Sequence, residues 1–345
     1  MKILYAVQAT GNGHIARATE LLPYLQQYGT VDVFLSGSNS SIDVALPVTY
    51  RSKGLSLFYG HSGGLNYTRM IRSFAPLRIM REVQSLPVEK YDLVINDFEA
   101  ITSLACRQKG IPFIHFGHQA SFVSDKTPRP KKKDIIGEWL LHHYASSPNN
   151  IGLHFASYDD FICSPVLKKQ VLETDPVNNG HITVYLSHYS DAVVEAALSK
   201  VSGVCFQVFS KEKKEVVKKG NLVFMPVNNK SFTESLVNCE GVITGAGFET
   251  PAEALYLGKK LMCLPIRGQY EQLCNAEALR AFDVPVINSI GHDFVSKVEN
   301  WLSGGQQKVL SLNQSTDNII EQVIAKGMSA VHEKDNNPAW LSPAF

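Results

Sequence analysis

The chain has 345 residues, 44% of them hydrophobic and 19% charged, with a formal net charge of +1. That length outgrows one ordinary core, so two domains are expected. The composition excludes a disordered chain, and the near-neutral balance excludes a global pull toward nucleic acid or an anionic surface. The six cysteines, at positions 106, 163, 205, 239, 263 and 274, contain no C-x-x-C pair, and neither a disulfide framework nor a metal site is expected. Lys2 precedes a short apolar run that ends before Gln8, which fits a first strand rather than a secretory leader. No apolar stretch approaches the roughly 20 residues of a membrane span, so a cytoplasmic protein is expected.

Along the chain, short apolar runs alternate with helical patterns. Strands are expected at 2–7, 31–36, 93–96, 112–116 and 161–163, and in a second series at 182–186, 204–209, 222–225, 241–243, 261–264 and 284–287. Helical stretches fall between many of them, for example 15–27, 191–200 and 271–281. This alternation predicts an α/β protein with parallel sheets covered on both faces, and the two series predict two doubly wound halves. The expected domains are 1–165 and 166–330, followed by 331–345 as a tail or a strap back to the first domain. The join falls near 164–180, where Asp175-Pro176 and Asn178-Asn179-Gly180 are turn formers.

The first strand runs into Gly11-Asn12-Gly13-His14-Ile15-Ala16, which also spells the dinucleotide fingerprint G-x-G-x-x-A. That fingerprint needs a carboxylate about 20 residues on, at the end of the second strand. The second strand ends in Leu35-Ser36-Gly37-Ser38, and Asp32 stands at its start, which weakens a nicotinamide-cofactor reading. The alternative is that the glycines admit a ligand to the strand end, with His14 opening the next helix at the edge where open α/β sheets bind ligands. The helix dipole would hold that imidazole neutral and able to accept a proton. Residues 8–16 alone leave both readings open.

The second half carries "GVITGAGFETPAEALYLGKKLMCLPIRGQYEQLCNAEAL" at 241–279. A buried strand ends at Thr244-Gly245-Ala246-Gly247. Thr250 as N-cap, Pro251 at the first helical position and Glu253 three residues after the cap predict a capping box. The amino end of that helix suits a diphosphate. Glu253 either satisfies the cap or grips ribose hydroxyls. Gln269-Tyr270-Glu271-Gln272 opens the next helix with side chains suited to a neutral, hydroxyl-rich ligand.

The order G-x-G-x-x-T-x-x-E-A-L-x-x-G over Gly245–Gly258, followed by Pro265 and Q-x-x-N-A from Gln272 to Ala276, is similar to the donor region of nucleotide-diphosphate-sugar glycosyltransferases with the GT-B fold. The chain resembles the UDP-glycosyltransferase superfamily, including the peptidoglycan UDP-N-acetylglucosamine transferase. It also resembles a bacterial and archaeal set of glycosyltransferase-like proteins in which DFE (Asp97-Phe98-Glu99) and GHQ (Gly117-His118-Gln119) recur at strand ends. The resemblance implies two Rossmann-like domains facing a cleft, the first binding the acceptor and the second a nucleotide-sugar. On the donor side it implies Gly13, Gly245 and Gly247 near the phosphates, Thr250 at the phosphates, Glu253 on the ribose, Glu271 and Gln272 on the sugar, and Ser187 and His188 opposite. It further implies His14 as base; Asp97 or Glu99 would then orient the imidazole or handle the acceptor, with Asp97 taken as catalytic and Glu99, His118 and Gln119 as acceptor-side.

From these residues the expected activity is metal-independent transfer of a sugar from a nucleotide-diphosphate donor, UDP-linked by family, to an acceptor hydroxyl, with inversion and with no cofactor. An epimerase or hydrolase, a non-catalytic nucleotide-sugar-binding protein and, last, an NAD oxidoreductase are the alternatives. The expected partners are the donor and an unidentified acceptor, with no nucleic acid. A glycine-rich loop at 60–66, an arginine-studded amphipathic stretch at 67–85 and Trp139-Leu140-Leu141 admit a lipid-linked acceptor or peripheral membrane contact, with ordinary core packing weighed ahead of it. Thr127–Asp134 (TPRPKKKD) reads as a solvated loop.

Overall fold

The computed structural model describes residues 1–37, 46–54 and 75–336. The loop at 60–66, the start of the stretch expected at 67–85 and residues 337–345 lie outside the described residues. The first half contains β1 (Lys2–Gln8), α1 (Asn12–Gln26), β2 (Thr30–Ser36), β3 (Val48–Ser52), α2 (Pro76–Ser85), β4 (Leu93–Asp97), α3 (Ala100–Gln108), β5 (Ile114–Gly117), α4 (Ile135–His143), β6 (Asn149–Leu153), β7 (Ile162–Cys163) and α5 (Lys169–Leu172). A 3-10 segment, Gln119–Val123, follows β5. The second half contains β8 (His181–Tyr185), α6 (Asp191–Leu198), β9 (Cys205–Ser210), β10 (Val217–Lys219), β11 (Leu222–Pro226), α7 (Asn229–Asn238), β12 (Gly241–Thr244), α8 (Glu249–Tyr256), β13 (Lys260–Cys263), α9 (Tyr270–Arg280), α10 (Phe294–Ser303) and α11 (Thr316–Asn336).

Among the described residues, the first half forms a parallel sheet in the order β3-β2-β1-β4-β5-β6-β7. The second sheet has the order β10-β11-β9-β8-β12-β13 and is parallel except for the β10–β11 pair. Both are the doubly wound sheets that the strand–helix alternation predicts. β1 shows why its sequence is a continuous apolar run. Ile3, Tyr5 and Val7 pack with Leu21 and Leu25 of α1 and with Ile320 and Val323 of α11. Leu4 and Ala6 pack on the other face with Ile79 and Val83 of α2 and Ile101 and Ala105 of α3. A strand covered on both faces cannot alternate with polar residues. The second sheet has its own core, in which Ile182, Val184, Phe206 and Ile243 meet Leu198 of α6 and Phe294 and Trp301 of α10.

The order of strands reverses between β1 and β4 in the first sheet and between β8 and β12 in the second. Ligands of open α/β sheets bind beyond the carboxyl ends of strands at such reversal points. The segments that follow β1, β4, β8 and β12 hold His14, Phe98, Ser187 and Gly245, all of which the topology brings to one cavity.

Three strands lie outside the apolar runs. β3 and β10 are edge strands, β3 with exposed alternate positions and β10 with Lys218 and Lys219 both exposed. β6 opens on two asparagines, a turn-like composition, yet Asn150 is buried, donating from Nδ2 to the Ser147 carbonyl at 2.8 Å. The strand expected at 284–287 reduces to one bridge, Cys263 to Val286. At the carboxyl end, α11 packs on α1, β4, β5 and β6, so the return to the first sheet begins at Thr316 rather than at 331. The backbone N–H of Asn313, just before α11, donates to Ser164 Oγ at 2.9 Å, tying this crossing to the earlier one between the halves.

His115 of β5 has Nδ1 at 3.2 Å from Asn150 Oδ1, and its Nε2 is buried without a partner among the described residues. Burial pushes its imidazole down to about 4, against the opposing Asn150 bond. An imidazole neutral when folded and charged when unfolded stabilises the fold above about pH 6.5, and that stability is lost as pH falls toward 4. The loss from this residue is on the order of 3 kcal/mol. Calorimetric melting between about pH 7 and pH 4 should therefore show a steeper fall in Tm for the native chain than for His115→Gln.

Candidate active site

The two carboxyl edges face one another across a cavity of about 740 Å³. β1 ends at Gln8, and α1 starts at Asn12 after Gly11, whose backbone is extended and which offers no side-chain cap. The first N–H groups of α1 are thus left open at the cleft. His14 stands in that first turn, its side chain 14% exposed. Its Nδ1 lies 2.8 Å from Asp97 Oδ1, and its Nε2 faces Gln119 Nε2 at 3.4 Å.

Asp97 is the last residue of β4, the strand beside β1, and is fully buried. Arg17, one turn beyond His14 on α1, grips the same carboxylate. Its Nε donates to Oδ2 at 3.1 Å and its Nη2 to Oδ1 at 2.7 Å and to Oδ2 at 2.9 Å. The Tyr5 hydroxyl donates to Oδ2 at 3.4 Å. Burial alone would raise the Asp97 carboxyl, but Arg17 and then His14 outweigh it and hold it well below the usual carboxylate range. Arg17 Nη1 also donates to Oε1 of Glu249, the first residue of α8 in the other half. A four-membered chain, His14–Asp97–Arg17–Glu249, therefore spans the cleft.

Phe98, directly after Asp97, has φ of 53°, a left-handed conformation rare for a bulky residue. That turn separates the two carboxylates of the DFE triplet. Glu99 is fully buried, and its oxygens accept from Ile101 N at 2.8 Å and Thr102 N at 2.6 Å. It is the N-cap of α3, so the expectation that it lies on the acceptor side is corrected: both oxygens are spent on the helix end. Burial raises its carboxyl, with those N–H groups opposing.

At the end of β5, Gln119 and His118 line the cavity. His118 is buried, with Nδ1 at 3.0 Å from the Leu153 carbonyl and Nε2 at 2.8 Å from Asn275 Oδ1 of α9. Its ring stacks on Phe248 at 4.0 Å, and Glu271 Oε1 approaches Nε2 at 3.8 Å. Both ring nitrogens are engaged, which makes His118 a joint between the halves rather than a free acceptor-side group. Gln119 keeps a buried Oε1 without a partner among the described residues.

On the second sheet, Gly245-Ala246-Gly247 leads from β12 into α8. A Cβ on Gly247 would meet nothing within 4 Å, so its backbone stays open to the cavity. The helix starts at Glu249 after Phe248, earlier than the sequence suggests, and no side chain caps it. The expected capping box is absent: Thr250 lies inside the first turn, and Glu253 pairs with Lys168 at 3.1 Å. Glu253 is buried, which raises its carboxyl, with Lys168 opposing. Thr250, Glu253 and Glu271 all line the cavity. Gln272 lines it too, but its Oε1 accepts from Ile266 N at 2.9 Å and Ala246 N at 3.2 Å, leaving only Nε2 for a ligand. Ser187 and His188 follow β8 on the same wall. Burial pushes the His188 imidazole down to about 4, and its Nε2 has no partner among the described residues. Gly13 also faces the cavity, but what needs its missing side chain is protein: a Cβ there would stand 2.7 Å from Glu249 Oε2.

One cavity thus gathers Gly13, His14, His118, Gln119, Ser187, His188, Gly245, Gly247, Thr250, Glu253, Glu271 and Gln272, with Asp97 behind His14 and Glu99 set apart. Sequence reasoning passed over Arg17, Glu249 and Lys168. Arg17 was within reach, being three residues from His14 on one helix face; its partner Glu249 was not, because it comes from the other sheet.

The profile of a family described as Glycosyl transferase family 1 matches residues 1–303. No curated protein matches the chain by sequence. Among solved structures, it is similar to the spinosyn forosaminyltransferase SpnP (13% identity, 97% of each chain, TM-score 0.55). It is similar to the glycosyltransferase SsfS6 of Streptomyces sp. SF2575 complexed with thymidine diphosphate (14% identity, 98% of this chain and 100% of that one, TM-score 0.56). It is also similar to UGT2 of Phytolacca americana complexed with UDP-2fluoro-glucose and pterostilbene (12% identity, 96% and 94%, TM-score 0.58). At these identities the likeness shows the fold, and the fold is GT-B.

The separation of the DFE carboxylates gives a direct check. Glu99→Ala should lower stability by about 1–2 kcal/mol, the usual loss for an N-cap, as read by urea unfolding. Nucleotide affinity measured by calorimetry on the same variant should be unchanged.

Proposed function

The chain belongs to glycosyl transferase family 1 and is a glycosyltransferase, and from that premise we propose that it moves a sugar from a UDP-linked donor to an acceptor hydroxyl, with inversion and without a metal ion. The observation that carries this reading is His14, backed by Asp97, facing the open amino end of α8 across one cavity. The uncapped N–H groups of α8 and the backbone of Gly247 suit a diphosphate, whose negative charge grows as the sugar–oxygen bond breaks. Amides and the helix dipole supply that stabilisation without a cation. The acceptor hydroxyl loses its proton to His14 Nε2, while Nδ1–H donates to Asp97 and fixes the tautomer. One base and one leaving-group site on opposite sides of the sugar fit a single displacement at the anomeric carbon, hence inversion. Thr250 suits the phosphates, Glu253 with Lys168 the ribose, and Glu271 with Gln272 Nε2 the sugar. Ser187 and neutral His188 suit the far side of the diphosphate. Gln119, with its unpartnered Oε1, is the polar group beside His14 on the acceptor side.

For the acceptor, the exposed face of α4 favours a membrane-borne substrate. The inner face of α4 holds buried Leu141 and Gly137, the latter against the Tyr270 ring of α9, and Glu138 takes the Tyr270 hydroxyl. Its outer face leaves Ile135 84%, Ile136 46% and Trp139 58% exposed, directly after exposed Lys131, Lys132 and Lys133. Apolar side chains beside exposed ammonium groups suit an interface with anionic lipid.

Thermal-shift and calorimetric titration should show UDP binding and no NAD binding. His14→Ala should keep UDP affinity and lose about 100-fold or more in turnover, measured as UDP released on addition of acceptor. UDP release indifferent to acceptor would indicate a hydrolase. Sedimentation with vesicles containing phosphatidylglycerol should pull down the native chain, and replacing Lys131, Lys132 and Lys133 by Glu should weaken that binding roughly tenfold or more.

A further inference from the structure

A histidine that takes a proton becomes a cation and needs a counter-charge in a buried site. Asp97 touches His14, but its charge is already matched by the bidentate guanidinium of Arg17, which also places Nη2 only 3.0 Å from His14 Nδ1. His14, Asp97 and Arg17 alone would carry a net positive charge once His14 was protonated. Glu249, which takes Arg17 Nη1, brings the second carboxylate. With it, imidazolium and guanidinium stand against two carboxylates, and the protonated cluster is neutral. Tyr5, on β1, is a neutral phenol whose ionisation is pushed far up first by burial and then by Asp97. Gln119, the side chain against His14 Nε2, is uncharged. Of the other charged groups along the wall, Glu253 is matched by Lys168, Glu271 faces His118, and Glu20 accepts from the Lys169 backbone N–H.

We propose that Glu249 of the second domain, acting through Arg17 and Asp97, supplies the counter-charge that His14 needs as it takes the acceptor proton, so that the base is complete only while the two halves are closed on each other. Glu249 is a positioning residue here, since it touches Arg17 and not the reacting atoms. Gly13 fits this role, because any side chain there would displace the Glu249 carboxylate. The same carboxylate stands at the amino end of α8, where it is unfavourable for a bound diphosphate. Its presence there is accounted for by the base, not by the donor.

The inference rests on the transferase reading, and its test separates the two. Glu249→Gln, Glu249→Asp and the native enzyme are compared in UDP-sugar turnover. Glu249→Gln should lower kcat roughly tenfold, part of what the base contributes. It should leave donor KM equal or lower, and move the acid limb of the kcat–pH profile to lower pH. Glu249→Asp should restore part of the loss. An unchanged kcat and pH profile, or a raised KM at unchanged kcat, would overturn the proposal. A second arm needs no activity: NMR titration of the histidine ring signals in 13C-histidine-labelled protein, with the His14 resonance assigned from His14→Ala. In Glu249→Gln that signal alone should titrate at lower pH. Absence of UDP binding in the native chain would sink the transferase reading, while an unmoved His14 titration would sink the coupling through Glu249.

Discussion

The Arg17 guanidinium, almost completely buried, is held between a carboxylate of the first sheet and a carboxylate of the second. Such a cation is costly to desolvate and stays only where its donors are met. Asp97 meets one edge of the fork and Glu249 meets the other, so neither half satisfies Arg17 by itself. The position of His14 follows from this, because it shares Asp97 Oδ1 with Arg17. The width of the cleft at that point follows too, because α1 and α8 must approach closely enough for Glu249 to lie against Gly13.

The glycines of the two motifs have different physical reasons. Gly13 and Gly117 leave room for protein: a Cβ on Gly117 would come within 2.9 Å of Asp97 Oδ1 and 3.2 Å of Arg17 Nη2. Both are clearances around the ionic chain. Gly11 and Gly247, one from each motif, have nothing within 4 Å of their absent side chains and both line the cavity, so their backbones are open to a ligand. In the G-x-G-x-x-A spelling of the first loop, Gly13 thus answers to a charged side chain of the other half, and Gly11 to the open cavity.

Much of the fold was legible because its signals are local. β1, β4 and β12 are apolar runs with glycine or carboxylate punctuation at their carboxyl ends, β8 runs into Ser187-His188, and parallel topology brings those ends together. What could not be read depends on contacts distant in sequence. Asp97 and Glu99 are two residues apart and chemically alike; only the left-handed turn at Phe98 sends one toward His14 and the other into the end of α3. Thr250-Pro251-x-Glu253 matches the spelling of a capping box, but the turn at Phe248 starts the helix early and Lys168 takes the glutamate. Gln272 has the right type and place for a sugar, yet its oxygen is held by two backbone N–H groups. β6 was hidden by two asparagines, of which Asn150 finds its partners, Ser147 and His115, only inside the fold.

The chain passes between the two halves twice, once after β7 and again before α11, and the Asn313–Ser164 bond places the passages side by side. The covalent links between the halves are thus gathered at one place. Elsewhere the halves are held by side-chain bonds, Arg17 to Glu249 and Tyr270 to Glu138 among them. Parting the halves at the cleft therefore breaks side-chain bonds, while the covalent chain keeps them joined where Ser164 meets Asn313.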